Sequence, residues 1–273
     1  MKQVVLQPFL VLMLFAAAFL SSCSKDKEGN RLIFSIEDDI KLGNEVAAEV
    51  DSIHRANGTL LERNDPKYQQ AYTILDGIVQ EILNSGKVTY RTEFPWEVKI
   101  IKEDSTLNAF ATPGGHIYVY TGLIKYLDSL DHFAGVLGHE IAHADKRHTS
   151  KRLQQQYSIA LLLSVILGDN PGTLTNIAVG LAGLNFSRED EREADDFSVV
   201  YLSGTRFACN GAAGFFQKLL NAGQAGGPPE FLSTHPSPGN RVQDINAKAA
   251  EINCDTSPTT NQDYNALKQS LNL

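Results

Sequence analysis

Cysteine is scarce in this chain. Three residues in 273, Cys23, Cys209 and Cys254, cannot furnish a disulfide framework or a cysteine-based zinc module. Basic excess is missing too: 24 Lys and Arg stand against 32 Asp and Glu, a formal charge of −8. A chain of that sign with no long basic run is poorly suited to neutralising phosphates, which argues against nucleic acid as a partner. Beyond residue 20 no apolar run reaches the roughly 20 residues needed to cross a bilayer. What is present, 42% apolar and 21% charged residues, is the composition of a folded chain with a sizeable core.

The N-terminus reads as an address. Lys2 precedes an uncharged apolar stretch that ends in Leu20-Ser21-Ser22-Cys23. A charged start, a short apolar core and small residues mark residues 1–22 as a secretory signal. A membrane-spanning anchor is the weaker reading, because the stretch is short and interrupted by Gln7 and Pro8. Leu-Ser-Ser-Cys resembles the bacterial lipobox, so Cys23 is the expected lipidation site and a membrane the expected partner. Residues 24–30 (S-K-D-K-E-G-N) carry no apolar side chain, and with Cys23 they read as a tether, 23–30. Ser24 stands where the inner-membrane retention signal of enteric lipoproteins has aspartate. The expected location is therefore an outer-membrane lipoprotein of a Gram-negative envelope, with periplasm and cell surface both open.

Residues 31–254 read as one α+β domain and 255–273 as a C-terminal tail. Ser35 and Asp38 predict a capping box for a helix reaching about His54. Asp65-Pro66 predicts a second helix, with Ala71, Leu75, Ile78, Val79, Ile82 and Leu83 on one stripe. Residues 96–102, 107–111 and 116–120 read as strands, the last two joined by Thr112-Pro113-Gly114-Gly115. From Ser129 onward the pattern is helical, and strands early with helices late give α+β. The apolar segments 159–167 and 174–184 read as buried helices, in preference to membrane contact.

Chemistry enters at His139-Glu140-Ile141-Ala142-His143. Histidines four apart on a helix share a face, and both imidazoles can reach one Zn2+ ion. Glu140, beside the first ligand, projects near the metal and suits proton transfer from the attacking water to the leaving amine. A catalytic zinc needs a third protein ligand. Ser187 and Asp190 predict a capping box, and in the helix that follows Glu191 and Asp195 share a face. Glu191 can then bind zinc while Asp195 hydrogen-bonds the back of a ligand histidine. Glu193 reads as solvated, and simple helix-dipole complementarity is the plainer reading of the acidic start. His148, nine residues past His139, faces away on an ideal helix and reads as structural, as do His54, His116 and His132.

The run from Gly138 to His148, the segment Glu191-Arg192-Glu193-Ala194-Asp195 and the stretch from Asn108 to Gly115 resemble the HtpX and CAAX-prenyl-protease family of gluzincin metallopeptidases. The likeness is strongest to its soluble periplasmic branch, which includes BepA and LoiP, and covers most of the chain after residue 36. It implies a zinc endopeptidase with one Zn2+ on His139, His143 and Glu191, and Glu140 as general base. It implies that Asn108, Ala109 and Phe110 form an edge strand along which extended polypeptide substrates bind. Thr234-His235-Pro236 and the later Arg241 resemble the family's Thr-His-Pro loop. His235 is then either a fourth ligand in a latent state or, like Arg241, an oxyanion donor, or it simply caps the next helix. The Gly- and Pro-rich stretch 223–229 is where such a loop would hinge. Outer-membrane assembly machinery is a further implied partner. Cys209 and Cys254, in an exported chain, are expected to pair, with two buried thiols as the alternative.

Three functions compete on these grounds. One is a zinc endopeptidase that cuts unfolded or misassembled envelope proteins. Another is an envelope assembly factor with chaperone-like binding and a mostly latent peptidase. The third is a lipoprotein binding module in which His-Glu-x-x-His is accidental, and the matched spacing of Glu191 and Asp195 argues against it.

Overall fold

In the computed structural model, residues 24–25, 31–222, 230–235 and 240–273 are described. The signal segment, Cys23 and the stretch 223–229 lie outside them. The first elements are short strands, β1 (Ser24–Lys25) and β2 (Arg31–Leu32), paired antiparallel with Ser24 opposite Leu32. Helix α1 (Ile36–Ala56) starts at the expected capping box: Asp38 N–H donates to the Ser35 hydroxyl and Ser35 N–H to the Asp38 carboxylate. Strand β3 (Leu60–Leu61) and a 3-10 turn at Pro66–Tyr68 lead into α2 (Gln69–Leu83), whose predicted apolar stripe is buried throughout.

Strands β4 (Glu97–Ile101), β5 (Ala109–Ala111) and β6 (His116–Tyr120) complete a sheet of order β3-β4-β6-β5. The β4–β6 pair is parallel and the others antiparallel, so the fold is α+β with a mixed sheet. The turn between β5 and β6 places Gly114 at φ 73° and Gly115 at φ 91°, backbone that favours glycine. The turn also packs under α1, where a side chain at Gly43 would come within 1.9 Å of the Pro113 carbonyl oxygen.

Ten further helices follow: α3 (Thr121–Tyr126), α4 (Leu130–Asp145), α5 (His148–Gln156), α6 (Ile159–Ile166), α7 (Pro171–Leu181), α8 (Arg188–Leu202), α9 (Gly211–Ala222), α10 (Glu230–Thr234), α11 (Arg241–Glu251) and α12 (Gln262–Leu271). Helix α4 is the central strut, buried at every position except His132. It lies close against α8 because Gly138 has no side chain: a Cβ there would sit 2.8 Å from Leu202 and 2.9 Å from the Ser198 hydroxyl. Ser198 in turn donates to the Gly135 carbonyl at 2.8 Å. The main core joins α2, α4, α8 and α9 to one face of the sheet. A second core joins α1, α6 and α7 to the other face through Phe110, Tyr118 and Tyr120.

Two expectations are corrected. Residues 255–273 are not a tail: α12 docks on the main core, burying Tyr264 and Leu267, and the Tyr264 hydroxyl donates to the Ile124 carbonyl. Helices α6 and α7 are not buried all round. Leu162, Val165, Ile177, Ala178 and Leu181 face inward, whereas Leu163, Leu167 and Val179 are exposed. The two-residue strands β1, β2 and β3 were missed, being too short to show alternation.

Cys209 and Cys254 form a disulfide that ties the loop before α9 to the end of α11, across 45 residues. Closing a loop of that length typically adds about 2–4 kcal/mol. Replacing both cysteines by alanine should lower the unfolding free energy by about that amount in urea titrations. Identical midpoints for the two proteins would show that the bridge adds nothing.

Candidate metal centre

Helix α4 ends in the residues that converge. His139 and His143 share its face, and their Nε2 atoms lie 3.0 Å apart. Helix α8, started by the Ser187 and Asp190 capping box, brings Glu191 opposite. Glu191 Oε2 is 3.5 Å from His139 Nε2 and Oε1 is 3.4 Å from His143 Nε2. His235, just past α10, adds Nδ1 at 2.9 Å from Glu191 Oε1 and 3.3 Å from His139 Nε2. One donor atom from each of the four residues lies within 4.8 Å of every other. Tetrahedral ligation with bonds of about 2.0–2.1 Å places donor atoms about 3.3–3.4 Å apart, so the set fits one tetrahedral ion.

The electrostatics suit a cation. Burial alone would drive the His139 pKa down, but hydrogen bonds to Asp195 and Glu191 outweigh it and raise it to about 9. His143 shows the opposite balance, and burial holds its pKa well below the ordinary value. Burial also opposes a charged Glu191, yet the surrounding imidazoles, His235 foremost, hold its pKa well below the carboxylate range. Glu140 is buried beside this set, and among the described residues neither carboxylate oxygen has a hydrogen-bond partner. Its Oε1 is 3.6 Å from His235 Nε2, and burial pushes its pKa up. A buried carboxyl without a partner, poised near a cation site, is equipped to take and return a proton.

Each ligand histidine is held from behind. His139 Nδ1 lies 2.9 Å from Asp195 Oδ1, which leaves Nε2 for a metal. Burial raises and the Arg241 charge lowers the Asp195 pKa, with the charge prevailing. Arg241 grips Asp195 with two hydrogen bonds, Nε to Oδ2 at 2.7 Å and Nη2 to Oδ1 at 2.5 Å. Its Nη1 is 3.2 Å from Glu191 Oε2, and its guanidinium lies 3.8 Å over the Phe216 ring. The donors of Arg241 thus face the carboxylates on α8, which it clamps.

His148 and Glu193 are also corrected. Helix α4 stops at Asp145, Arg147 adopts φ 62°, and His148 starts a new helix instead of continuing the old one. The left-handed Arg147 is fixed by its Nε on Asp39 at 2.6 Å and Nη2 on the Phe34 carbonyl at 2.5 Å. The ideal-helix projection therefore fails, and His148 Nδ1 sits 3.1 Å from His143 Nδ1. His148 Nε2 lies 3.3 Å from Glu193 Oε2, so Glu193 is part of the centre's support and not merely solvated. One proton arrangement satisfies all three: His143 Nδ1–H donates to His148 Nδ1, and His148 Nε2–H donates to Glu193. No glycine or asparagine at 146–147 announced the break. His54, His116 and His132 lie elsewhere; His54 pairs with Thr59, and His116 with Asn44.

Strand β5 is the sheet edge. Asn108, within Tyr120 N–H reach at 3.2 Å, and Thr112, donating to His116, direct their backbones toward β6. By alternation Ala109 and Ala111 direct theirs outward. Ala109 N–H donates to the Asn108 side chain and the Ala111 carbonyl accepts from Thr149. Among the described residues, the Ala109 carbonyl and Ala111 N–H have no such partner. Helix α10 lies beside this edge: Phe231 N–H donates to the Leu107 carbonyl, and the Phe231 ring stacks 4.3 Å from His235.

A helix bearing His-Glu-x-x-His set against one bearing Glu-x-x-x-Asp defines a metallopeptidase-type centre. The family model described as Peptidase family M48 matches residues 70–249, and the chain belongs to that family, whose members depend on zinc. Similar proteins include the beta-barrel assembly-enhancing protease of Yersinia pestis, 31% identical over 185 residues, covering 62% of this chain and 37% of that one. The mitochondrial metalloendopeptidase OMA1 of Schizosaccharomyces pombe is 29% identical over 211 residues, covering 76% and 61%. The metalloprotease YcaL of Escherichia coli is 26% identical over 216 residues, covering 77% and 79%. The chain thus spans less than two thirds of the length of the first two relatives.

Partners behind metal-ligating histidines typically matter about 10–100-fold in affinity. His148→Ala should weaken zinc binding by that range in chelator competition. His148→Asn keeps an acceptor near the Nδ1 position and should retain most of the affinity. Unchanged binding by His148→Ala would remove this residue from the centre.

Proposed function

We propose that the protein is a zinc metalloendopeptidase of the bacterial envelope, acting on unfolded or misassembled proteins. The observation that carries the reading is the convergence of His139, His143 and Glu191 beside the buried carboxyl of Glu140, which among the described residues has no hydrogen-bond partner. In the proposal, His139, His143 and Glu191 hold the ion, which supplies Lewis-acid chemistry for hydrolysis of an amide. Glu140 takes a proton from the attacking water and delivers it to the leaving nitrogen, its raised pKa favouring return of that proton. Asp195, clamped by Arg241, fixes the His139 tautomer. The Ala109 carbonyl and Ala111 N–H supply backbone hydrogen bonds to an extended peptide, with Asn108 and Phe110 framing that strand. Main-chain recognition of this kind gives affinity with little side-chain choice, which suits unfolded substrates.

The geometry also supports a restrained resting state. His139, Glu140, His143, Glu191 and His235 are all at most 2% exposed. Glu140 has to be uncovered before a substrate can reach it. In this reading His235 takes the position that water needs, and its departure opens the centre. The likeness to the assembly-enhancing protease supports envelope quality control, and the lipobox-like run supports anchoring through Cys23 and a place at the outer membrane. The same burial favours a second reading, an assembly factor with chaperone-like binding whose peptidase stays mostly latent.

Two variants test these statements. Glu140→Gln should keep zinc and lose about 10²–10⁴-fold in hydrolysis of an unfolded protein, because an amide cannot accept the proton. Near-normal turnover by that variant would assign the chemistry elsewhere, and so would wild-type turnover that survives a zinc chelator. His235→Ala should keep zinc and raise basal cleavage. A closed-to-open gap of about 1–3 kcal/mol corresponds to a rise of about 5- to 150-fold. A fall in rate with zinc retained would instead make His235 a donor to the reacting carbonyl. Substrate protection without cleavage by either the wild type or His235→Ala would favour the assembly factor.

A further inference from the structure

The α6–α7 hairpin exposes large apolar side chains as well as burying them, beside exposed Thr175 and Asn176. Its inner residues Leu162, Val165, Ile177 and Leu181 share a core with Phe34, Leu42 and Val46. Its outer residues are Leu163, 40% exposed, Leu167, 73%, and Val179, 64%. Neither helix contains a charged residue, and in residues 153–187 the single charge is Asp169. A helix at a water-facing surface normally turns charged side chains outward. An apolar outer face on an otherwise well-charged protein marks a surface that something apolar covers.

The start of the described chain shows what lies there. Ser24, next in sequence to Cys23, pairs with Leu32. The following residue, Ile33, is 54% exposed and donates its N–H to the Gln154 side chain at 3.0 Å, at the end of α5 just before the hairpin. The N-terminal strand pair, whose Ser24 follows Cys23 in sequence, is therefore joined through Ile33 and Gln154 to the helix that leads into the apolar hairpin. Helix α6 has eight residues, about 12 Å at 1.5 Å per residue, far too short to span. Arg152 and Arg188 bracket this stretch in sequence.

We propose that the outer face of the α6–α7 hairpin, together with Ile33, rests in the interfacial layer of a lipid bilayer. It rests on the proposed membrane location, but it adds a second, protein-borne contact that orients the domain. An acyl anchor alone leaves the domain free to swivel on its tether. Two contacts fix which side faces the membrane. Asn108 Nδ2 donates to the Ala182 carbonyl at 2.9 Å, so the start of the edge strand is tied to the end of this hairpin. The docked hairpin would hold the substrate edge at a set height above the lipid.

The test uses the full acylated protein in vesicles of phosphatidylethanolamine and phosphatidylglycerol. Leu163→Cys, Leu167→Cys and Val179→Cys are each spin-labelled, with Leu220→Cys on α9, 68% exposed in the wild type, as the control. Cys209 and Cys254 are bridged and Cys23 is acylated, so only the new thiol reacts. Collision rates with oxygen, which concentrates in lipid, are compared with those of a water-soluble nickel complex. At 163, 167 and 179 the oxygen-to-nickel ratio should exceed that at 220 by about tenfold, the signature of burial in lipid. Equal ratios at all four positions would overturn the proposal. Dipolar broadening between labels would overturn it too, since a second copy would then cover the face. Flotation and intact mass report on Cys23 separately. An acylated, floating protein with a wet hairpin discards the inference and keeps the anchor. A lipid-buried hairpin on a protein without acyl chains does the reverse.

Discussion

Everything near the centre follows from burying three carboxylates in one place. Glu140, Glu191 and Asp195 are each at most 3% exposed, and one arginine, Arg241, touches two of them. Three negative charges against one positive cannot remain so in a dry interior, because desolvation of unpaired charge costs several kcal/mol. A divalent cation held by His139, His143 and Glu191, as proposed, would offset that excess. Without it, the chain has to borrow protons, as the raised pKa of His139 and of Glu140 shows. The close packing of α4 on α8 at Gly138 and the clamp of Arg241 on Asp195 both serve to hold this charge set together.

Much of this was legible beforehand where local rules decide the outcome. The capping boxes at Ser35 and Ser187 sit where hydroxyl and carboxylate spacing predicted them, and the stripe on α2 is buried as its period implied. The pairing of His139 with His143, and of Glu191 with Asp195, needed only helical geometry. What escaped depended on tertiary context. The projection of His148 assumed a continuous helix, and Arg147 breaks it in a left-handed conformation that its contacts with Asp39 and the Phe34 carbonyl impose from 108 and 113 residues away. The docking of α12 depends on a groove beside α2 that no local pattern reveals. The two faces of α6 and α7 look alike in sequence, so which one is covered is decided by α1.

The support behind the two histidines is asymmetric, and the difference has a physical sense. His139 leans on Asp195, a carboxylate already neutralised by a bidentate arginine. His143 leans on a neutral acceptor, His148, and only through it on Glu193. A carboxylate directly behind a ligand imidazole raises its basicity more than a neutral ring does. Against burial, hydrogen bonds to Asp195 and Glu191 raise the His139 pKa to about 9, whereas burial and the neighbouring His139 charge lower that of His143.

The same asymmetry runs through the surroundings. On the Asp195 side the centre is walled by the main core, with Phe216 under Arg241 and α9 behind it. On the His143 side it meets Phe186, stacked 4.0 Å from the His143 ring, and beyond it the end of the α6–α7 hairpin. Phe186 N–H reaches the Thr234 carbonyl at 3.4 Å, one residue before His235. The hairpin's end, the edge strand and the segment carrying His235 therefore meet at one corner, through Asn108, Ala182, Phe186 and Phe231. In the proposed opening, His235 and α10 move away from β5 at this corner, which frees the strand edge that an extended peptide would use.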